Sequence, residues 1–318
     1  MASLANKVGI VTGGGTGIGR ATALAMARAG ASLVIGNRGA KLGGEVVRAI
    51  EQAGGRAVFQ VADVSKPEDA KALVDRAVKE FGRLDLAFNN AGADGEQVPL
   101  HEQDIEKASL LFDVNIKGVF YCMKYQIEEM LRTGGGSIVN TSSIFGLNGY
   151  PGWSLYSATK HAVTGMTKSA ALDYAQRGIR VNAVGPGPVE TPLLAKGTGG
   201  DPNSYASFVP MGRIGQPEEI ADPVVWLLSD EARYVTGHTF PVDGGVASAR
   251  SEMRQDSRPS SDPPPIPAPS TCSGPQRIGR WRFHEGLLAS QWVTPIRSFE
   301  RLSYVVLTFL AGVRCRWP

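Results

Sequence analysis

Two hydrophobic rhythms alternate from residue 7 to residue 248, and no other feature of the 318-residue chain constrains its fold as strongly. Short β-branched runs recur at Val8–Val11, Ser32–Ile35, Ala57–Val61, Leu84–Phe88, Ser137–Asn140, Ile179–Val184 and His238–Val242. Between them lie stretches whose apolar residues repeat at spacings of three and four, among them Ala21–Ala29, Gly44–Gln52, Pro67–Glu80 and Ser157–Gln176. That spacing keeps one helical face apolar, whereas the short runs suit strands. Strands that alternate with helices build a parallel sheet through right-handed crossovers. The pattern therefore predicts an α/β fold: a doubly wound parallel sheet of about seven strands with helices on both faces. About 240 residues fit one such domain, near the upper limit for a single core.

The pattern stops where the composition changes. Residues 1–248 hold 11 Lys and 12 Arg against 25 acids, a net of −2. Residues 249–318 hold no Lys and 10 Arg against 5 acids, a net of +5, together with 9 of the 20 Pro and 3 of the 5 Trp. The overall charge of +3 comes from this second part, so charge gives the main body no reason to meet nucleic acid or a membrane. The two parts are read as a main folded domain, 1–248, and an atypical Pro/Ser/Arg-rich tail, 249–318, expected to be disordered. Translation of a region not selected as protein and a partner-binding extension both remain open for that tail. Cys122, Cys272 and Cys315 are odd in number and lack metal-ligand spacing, so neither a disulfide framework nor a metal site is expected. The polar N-terminus does not read as a signal peptide, and Tyr304–Val313 is about half the length a bilayer span needs. A cytoplasmic setting is expected.

The first strand runs directly into Thr12-Gly13-Gly14-Gly15-Thr16-Gly17-Ile18-Gly19, and a helix follows. A glycine-rich turn before a helix lets backbone N–H groups reach a pyrophosphate, with the helix N-terminus supplying partial positive charge. The glycines at 13, 17 and 19 depart from the general G-x-G-x-x-G spacing of dinucleotide-binding folds. Further on stand Asp63-Val64, Asn89-Asn90-Ala91-Gly92, Asn115, Ser143, Tyr156-x-x-x-Lys160, Pro186-Gly187 and Thr191.

Taken together over residues 4–247, these motifs resemble the short-chain dehydrogenase/reductase family, in its single-domain branch with a Rossmann-type sheet. The resemblance implies that Gly13, Gly17 and Gly19 face the cofactor phosphates, that Asp63 meets the adenine, and that Asn90 supports the central strand and the adenosine ribose. Ile18 and Thr191 would flank the nicotinamide. Gly15, Thr16, Asn37, Arg38, Val64, Ala91, Gly92, Pro186, Gly187 and Val189 complete the expected cofactor-binding set, with Tyr156 and Lys160. Asn37 stands where NAD-preferring relatives carry Asp, and Arg38 follows it. A guanidinium grips a phosphate bidentately, which favours NADP over NAD, although Thr16 occupies a place where many NADP-preferring relatives carry a basic residue.

Tyr156 and Lys160 are four residues apart and share a helical face. An ammonium beside a phenol favours the phenolate, so Lys160 is expected to lower the Tyr156 pKa. The resemblance implies hydride transfer between the nicotinamide and the carbon of a secondary alcohol or ketone. Tyr156 would be the general acid/base, Lys160 would also hold the nicotinamide ribose, Ser143 would orient the carbonyl oxygen, and Asn115 would hold a water relaying protons from Lys160. Ser142 is the alternative if the spacing slips by one. No metal is implied.

Residues 188–213 should form a lid with Leu193, Leu194, Tyr205, Phe208, Val209 and Met211. With Phe145, Leu147, Tyr150 and Trp153 they suggest an apolar pocket for a small-molecule alcohol or ketone. Two alternatives within the family are a 3-oxoacyl carrier-protein reductase and a sugar dehydrogenase; Leu172 stands where the former would carry a docking Arg. A non-catalytic cofactor sensor or scaffold is the alternative of a different class. Family members associate as homotetramers or homodimers, and the same is expected here through the helices holding Asn115 and Tyr156 and the segment near Val242–Val246.

Overall fold

A computed structural model describes residues 2–197 and 199–249. The region from 250 onward, expected to be a tail, lies outside the described residues. The seven strands are β1 Val8–Thr12, β2 Ser32–Asn37, β3 Arg56–Val61, β4 Leu86–Asn89, β5 Gly136–Thr141, β6 Ile179–Pro186 and β7 Thr239–Val242. The helices are α1 Gly17–Arg28, α2 Ala40–Gln52, α3 Pro67–Phe81, α4 Ile105–Phe112, α5 Gly118–Thr133, α6 Ser154–Tyr174, α7 Pro192–Gly197 and α8 Pro217–Leu228.

All strands pair in parallel in the order β3-β2-β1-β4-β5-β6-β7. The predicted doubly wound sheet is thus the observed one. The order reverses direction between β1 and β4, where Thr12 registers with Asn89. Open α/β sheets bind ligands in the crevice beyond the carboxyl ends of their strands at such a switch point. Two apolar layers flank the sheet. One contains Val11, Leu33, Ile35 and Phe88 with Met26 of α1 and Val224 of α8. The other contains Ile10, Val34, Ala87 and Ile138 with Leu73 of α3, Met130 of α5 and Val163 of α6.

A buried polar ladder ties the site-bearing helices to the sheet. Asn89 of β4 donates to Gln126 of α5 and to Asn140 of β5, both at 2.9 Å. Gln126 returns a bond to Asn89 at 2.8 Å, and Asn140 donates to Thr167 of α6 at 3.0 Å. These residues are essentially inaccessible to water, so each polar group depends on its neighbour for satisfaction. The ladder therefore fixes α5 and α6 against β4 and β5 directly beneath the switch-point crevice.

Candidate active site

The expected site residues gather along the carboxyl edge of the sheet. The glycine turn follows β1, Asn37 ends β2, Asp63 follows β3 and Asn90–Gly92 follow β4. Ser143 follows β5, and Pro186 through Thr191 end and follow β6. Asn115 and the Tyr156–Lys160 pair enter from α-helical segments on one side.

At the glycine turn, the backbone of α1 begins without a side-chain cap. Thr16 is extended, makes no capping bond, and the first turn carries no acidic residue. The orphan N–H groups of that turn are therefore left for an anion, the chemistry a pyrophosphate requires. Gly19 is needed for a close approach: a Cβ there would lie 2.2 Å from the Gly13 carbonyl oxygen and 2.6 Å from the Asn90 amide nitrogen. The Thr12 hydroxyl accepts from the N–H groups of Asn90 and Ala91 at 3.0 and 3.1 Å. The Asn90 side chain in turn donates to the carbonyls of Thr12 and Gly13 at 3.2 and 3.3 Å. This double staple locks the β1 and β4 loops together.

The other cofactor-side residues divide by environment. Asn37 donates to the Gly39 carbonyl at 3.1 Å and also lies against Gly15, while Arg38 is exposed. Partial burial works to raise the Asp63 carboxyl, but bonds from the Ser65 hydroxyl and N–H and the charges of Arg38 and Lys66 hold it below its ordinary value. Val64 is buried against Gly118, Ala70 and Cys122, and Val189 is buried and bridges to Gly215. Their side chains pack the scaffold. Ile18 and Thr191 lie at the turn: Ile18 is half-buried, and the Thr191 side chain contacts Gly17 while its hydroxyl accepts from Leu194 N–H at 3.2 Å. Gly187 closes on Asp243.

At the chemical end, Asn115 sits inside a π-helical turn, Asp113–Lys117, between α4 and α5. Such bulges often mark functional positions. Its side chain is buried and clasps one residue from both sides: Asn115 Oδ1 accepts from Ala93 N–H at 2.7 Å, and Nδ2 donates to the Ala93 carbonyl at 3.0 Å. Nδ2 also donates to Thr159 of α6 at 3.2 Å. Lys160 is buried and donates to the Thr141 carbonyl at 2.9 Å. Gly92 faces both groups, since a Cβ there would lie 3.4 Å from Asn115 Oδ1 and 3.7 Å from Lys160 Nζ.

Ser143 lies beside Tyr156, where it favours the phenolate, and its hydroxyl donates to the Pro186 carbonyl at 3.5 Å. Ser142 is committed elsewhere, donating to the Lys160 carbonyl at 3.1 Å and pairing with the Thr164 hydroxyl at 2.9 Å. Of the two serines, therefore, Ser143 is the one beside the phenol.

The expectation that Lys160 lowers the Tyr156 pKa does not hold in the protein by itself. Burial pushes the phenol up, the Asp94 charge adds to that, and the Ser143 hydroxyl opposes both. Lys160 lies 5.6 Å from the centre of the phenol ring, held by Thr141, and burial pushes its own pKa down to about 8 against the pull of Asp94. Desolvation disfavours both ionised forms and outweighs their mutual benefit.

The side chains packed around Tyr156 are aromatic. Phe145 stacks 4.4 Å from Tyr150, 5.3 Å from Trp153 and 5.4 Å from Tyr156, and Phe208 from the lid meets Tyr150 at 6.0 Å. Leu193 and Met211 of the lid are turned outward. Sequence reasoning missed four contributors: Thr12, the Thr141 carbonyl, Thr159 and Asp94. A backbone carbonyl has no sequence signature. Asp94 did carry a signal, being an acid two residues beyond Asn-Asn-Ala-Gly.

Residues 13–247 match a family model described as enoyl-(acyl carrier protein) reductase. The chain is 47% identical over 243 residues to a cyclohexanol dehydrogenase of Acinetobacter sp. (strain SE19), covering 76% of this chain and 96% of that one. It is 44% identical over 252 residues to a 2,5-dichloro-2,5-cyclohexadiene-1,4-diol dehydrogenase of Sphingobium indicum, covering 78% and 100%. Among solved structures it is similar to a putative NAD(P)-dependent gluconate 5-dehydrogenase from Beutenbergia cavernae with bound NADP. That structure has a TM-score of 0.73 and 35% identity, with 78% of this chain and 99% of that one covered.

Proposed function

The chain belongs to the short-chain dehydrogenase/reductase family, and from that premise we propose that it oxidises cyclic secondary alcohols and reduces the matching ketones. It is an NAD(P)-dependent oxidoreductase that interconverts a secondary alcohol and a ketone. The observation that carries the cyclic reading is the 47% identity to a cyclohexanol dehydrogenase over 96% of that protein's length. The aromatic cluster of Phe145, Tyr150 and Trp153 supports it, because flat apolar faces suit a saturated ring.

When bound, the nicotinamide cofactor supplies or accepts the hydride. The uncapped first turn of α1 holds its pyrophosphate, and Lys160 holds the nicotinamide ribose. Ser143 donates to the substrate oxygen, and Tyr156 Oη gives that oxygen its proton or takes it away. Asn115 holds the water through which Lys160 returns the proton toward solvent, and both groups lie beside Gly92. NADP is the favoured cofactor because Asn37 bears no charge to repel a 2′-phosphate and Arg38 is exposed beside it. The exposed apolar residues Ile105 and Leu110 on α4 and Phe120 on α5 support assembly as a dimer or tetramer.

The carrier-protein alternative is less well supported, since Leu172, where a docking cation was expected, is 83% exposed and uncharged. Initial rates with cyclohexanol and cyclohexanone, followed by NAD(P)H absorbance with each cofactor at equal concentration, test the reading. Turnover of the cyclic pair that is faster with NADP is expected. Turnover only of carrier-bound 3-oxoacyl thioesters would overturn the substrate assignment, and a clear NAD preference would overturn the cofactor assignment.

A further inference from the structure

Asp94 takes no part in the proton path described above, yet the fold holds it rigidly at that path. Its neighbour Ala93 is clasped by Asn115 through both backbone polar groups, at 2.7 and 3.0 Å. On the other side, a Cβ on Gly95 would come 2.9 Å from the Tyr156 Cβ, so only glycine lets the loop lie this close to the phenol. Asp94 is thus suspended between two anchors of the catalytic group. From there its carboxylate reaches the lid, with Oδ2 3.0 Å from where a Cβ on Gly197 would stand.

That position lies between the reacting oxygen and the lid, where the part of a substrate remote from the reacting carbon must sit. The carboxylate has acceptor capacity to spare: Oδ1 accepts from Gly95 N–H at 3.0 Å, and Asp94 makes no ion pair among the described residues. Burial pushes the Asp94 carboxyl up, while the Gly95 N–H bond and the charges of Lys160 and of the exposed Lys196 on α7, neither of which pairs with it, favour its ionised form. Lys160 is turned to the Thr141 carbonyl. The charge of Asp94 is nevertheless felt by Tyr156, Lys160 and Tyr205, which surround this space. The rings packed around Tyr156 are neutral.

We propose that Asp94 is a specificity residue that accepts a hydrogen bond from a second hydroxyl on the substrate and turns away substrates bearing a carboxylate. The preferred class is then a neutral cyclic diol or hydroxyketone rather than a simple cycloalkanol or a hydroxy acid. This rests on the cyclic-alcohol reading. A hydrogen bond to a charged acceptor is among the stronger kinds, and a site built to accept it discriminates against an analogue lacking the hydroxyl. A like charge at the same place is repelled in this partly desolvated setting.

The test compares kcat/KM for 1,4-cyclohexanediol, cyclohexanol and 4-hydroxycyclohexanecarboxylate in the native enzyme, Asp94→Ala and Asp94→Asn. Each ratio is taken within one protein, so loss of folded enzyme cancels. Asp94→Ala should lower the diol-to-cyclohexanol ratio about tenfold. Asp94→Asn should raise the carboxylate-to-cyclohexanol ratio about tenfold. Turnover with both ratios unmoved overturns the role of Asp94 alone. No turnover of any of the three by the native enzyme overturns the cyclic-alcohol reading with it.

Discussion

At the scale of single residues, the balance of burial against charge decides what the site can do. Tyr156 is the proposed proton carrier, and its phenol is buried next to Ser143 with Asp94 raising its pKa further. Tyr156→Phe removes the exchangeable proton and little volume, so kcat should fall by at least about two powers of ten while cofactor binding persists. Stopped-flow or steady-state NAD(P)H absorbance reads the first quantity and fluorescence titration the second; near-normal turnover would refute the assignment. Lys160 gives a prediction with a sign. Burial lowers its pKa from 10.5 to about 8, so between those values the unfolded chain binds a proton that the folded chain does not. Stability then rises with pH across that window, and below about 8 the fold carries a buried ammonium. Thermal melts of the cofactor-free native protein against Lys160→Met should show the native protein gaining on the variant from pH 8 to 10.5, and a flat difference would rule this out. The proposed catalytic residues were legible through the resemblance that their motifs carry together. What was not legible was the surrounding dielectric, which reverses the expected direction at Tyr156.

At the scale of elements, the apolar runs predicted all seven strands, most plainly the central ones, which are covered on both faces, whereas the edge strands β3 and β7 leave Val61 and Phe240 exposed. Boundaries moved where a polar side chain joined the ladder or a glycine hid the pattern. The fourth strand was expected at Leu84–Phe88 and is Leu86–Asn89. Asp85 leaves it to accept the Val8 N–H at 2.9 Å, and Asn89 joins it opposite Thr12. Helix α1 starts at Gly17, four residues before the apolar period becomes visible at Ala21. The π-helical turn at Asn115 has no hydrophobic signature at all. Helix α8 is started by a bracket that the sequence pattern did not announce. Glu219 accepts from Gln216 N–H at 2.8 Å and pairs with both Arg213 guanidinium nitrogens at 2.7 Å. That arrangement, led by the Arg213 bond, holds the Glu219 carboxyl down at about 2. The group is exposed, so its worth is that of a helix cap: Glu219→Gln should cost about 1 kcal/mol in urea unfolding at neutral pH. Because the carboxyl is depressed, this stabilisation is present above its ordinary value of 4.5 and fades as pH falls toward about 2. A deficit that persisted unchanged at the acid end would show that lost packing, not the charged cap, was responsible.

At the scale of the whole molecule, two independent boundaries nearly coincide. The composition changes at residue 249, from a net charge of −2 before it to +5 after it. The family model ends its match at residue 247, and the cyclohexanol dehydrogenase is aligned over 96% of its length by only 76% of this chain. Among the described residues the sheet is seven-stranded and ends with β7 at Val242, within the segment that the family model matches. We therefore expect residues 1–249 to hold everything that folding and turnover require. A chain ending at Ala249 should melt within about 2 °C of the full-length protein, a shift well under 1 kcal/mol for a domain of this size. It should also keep kcat/KM for cyclohexanol within about twofold, since it retains every site residue. Light scattering coupled to size exclusion adds a third reading. Phe120 and the α4 residues that support assembly all lie within the retained part, so both chains should elute as the same oligomer. If the shorter chain instead changed oligomeric state or lost activity, residues 250–318 would act on the enzyme, and their Arg-rich, Lys-free composition would be the first place to look for the contact.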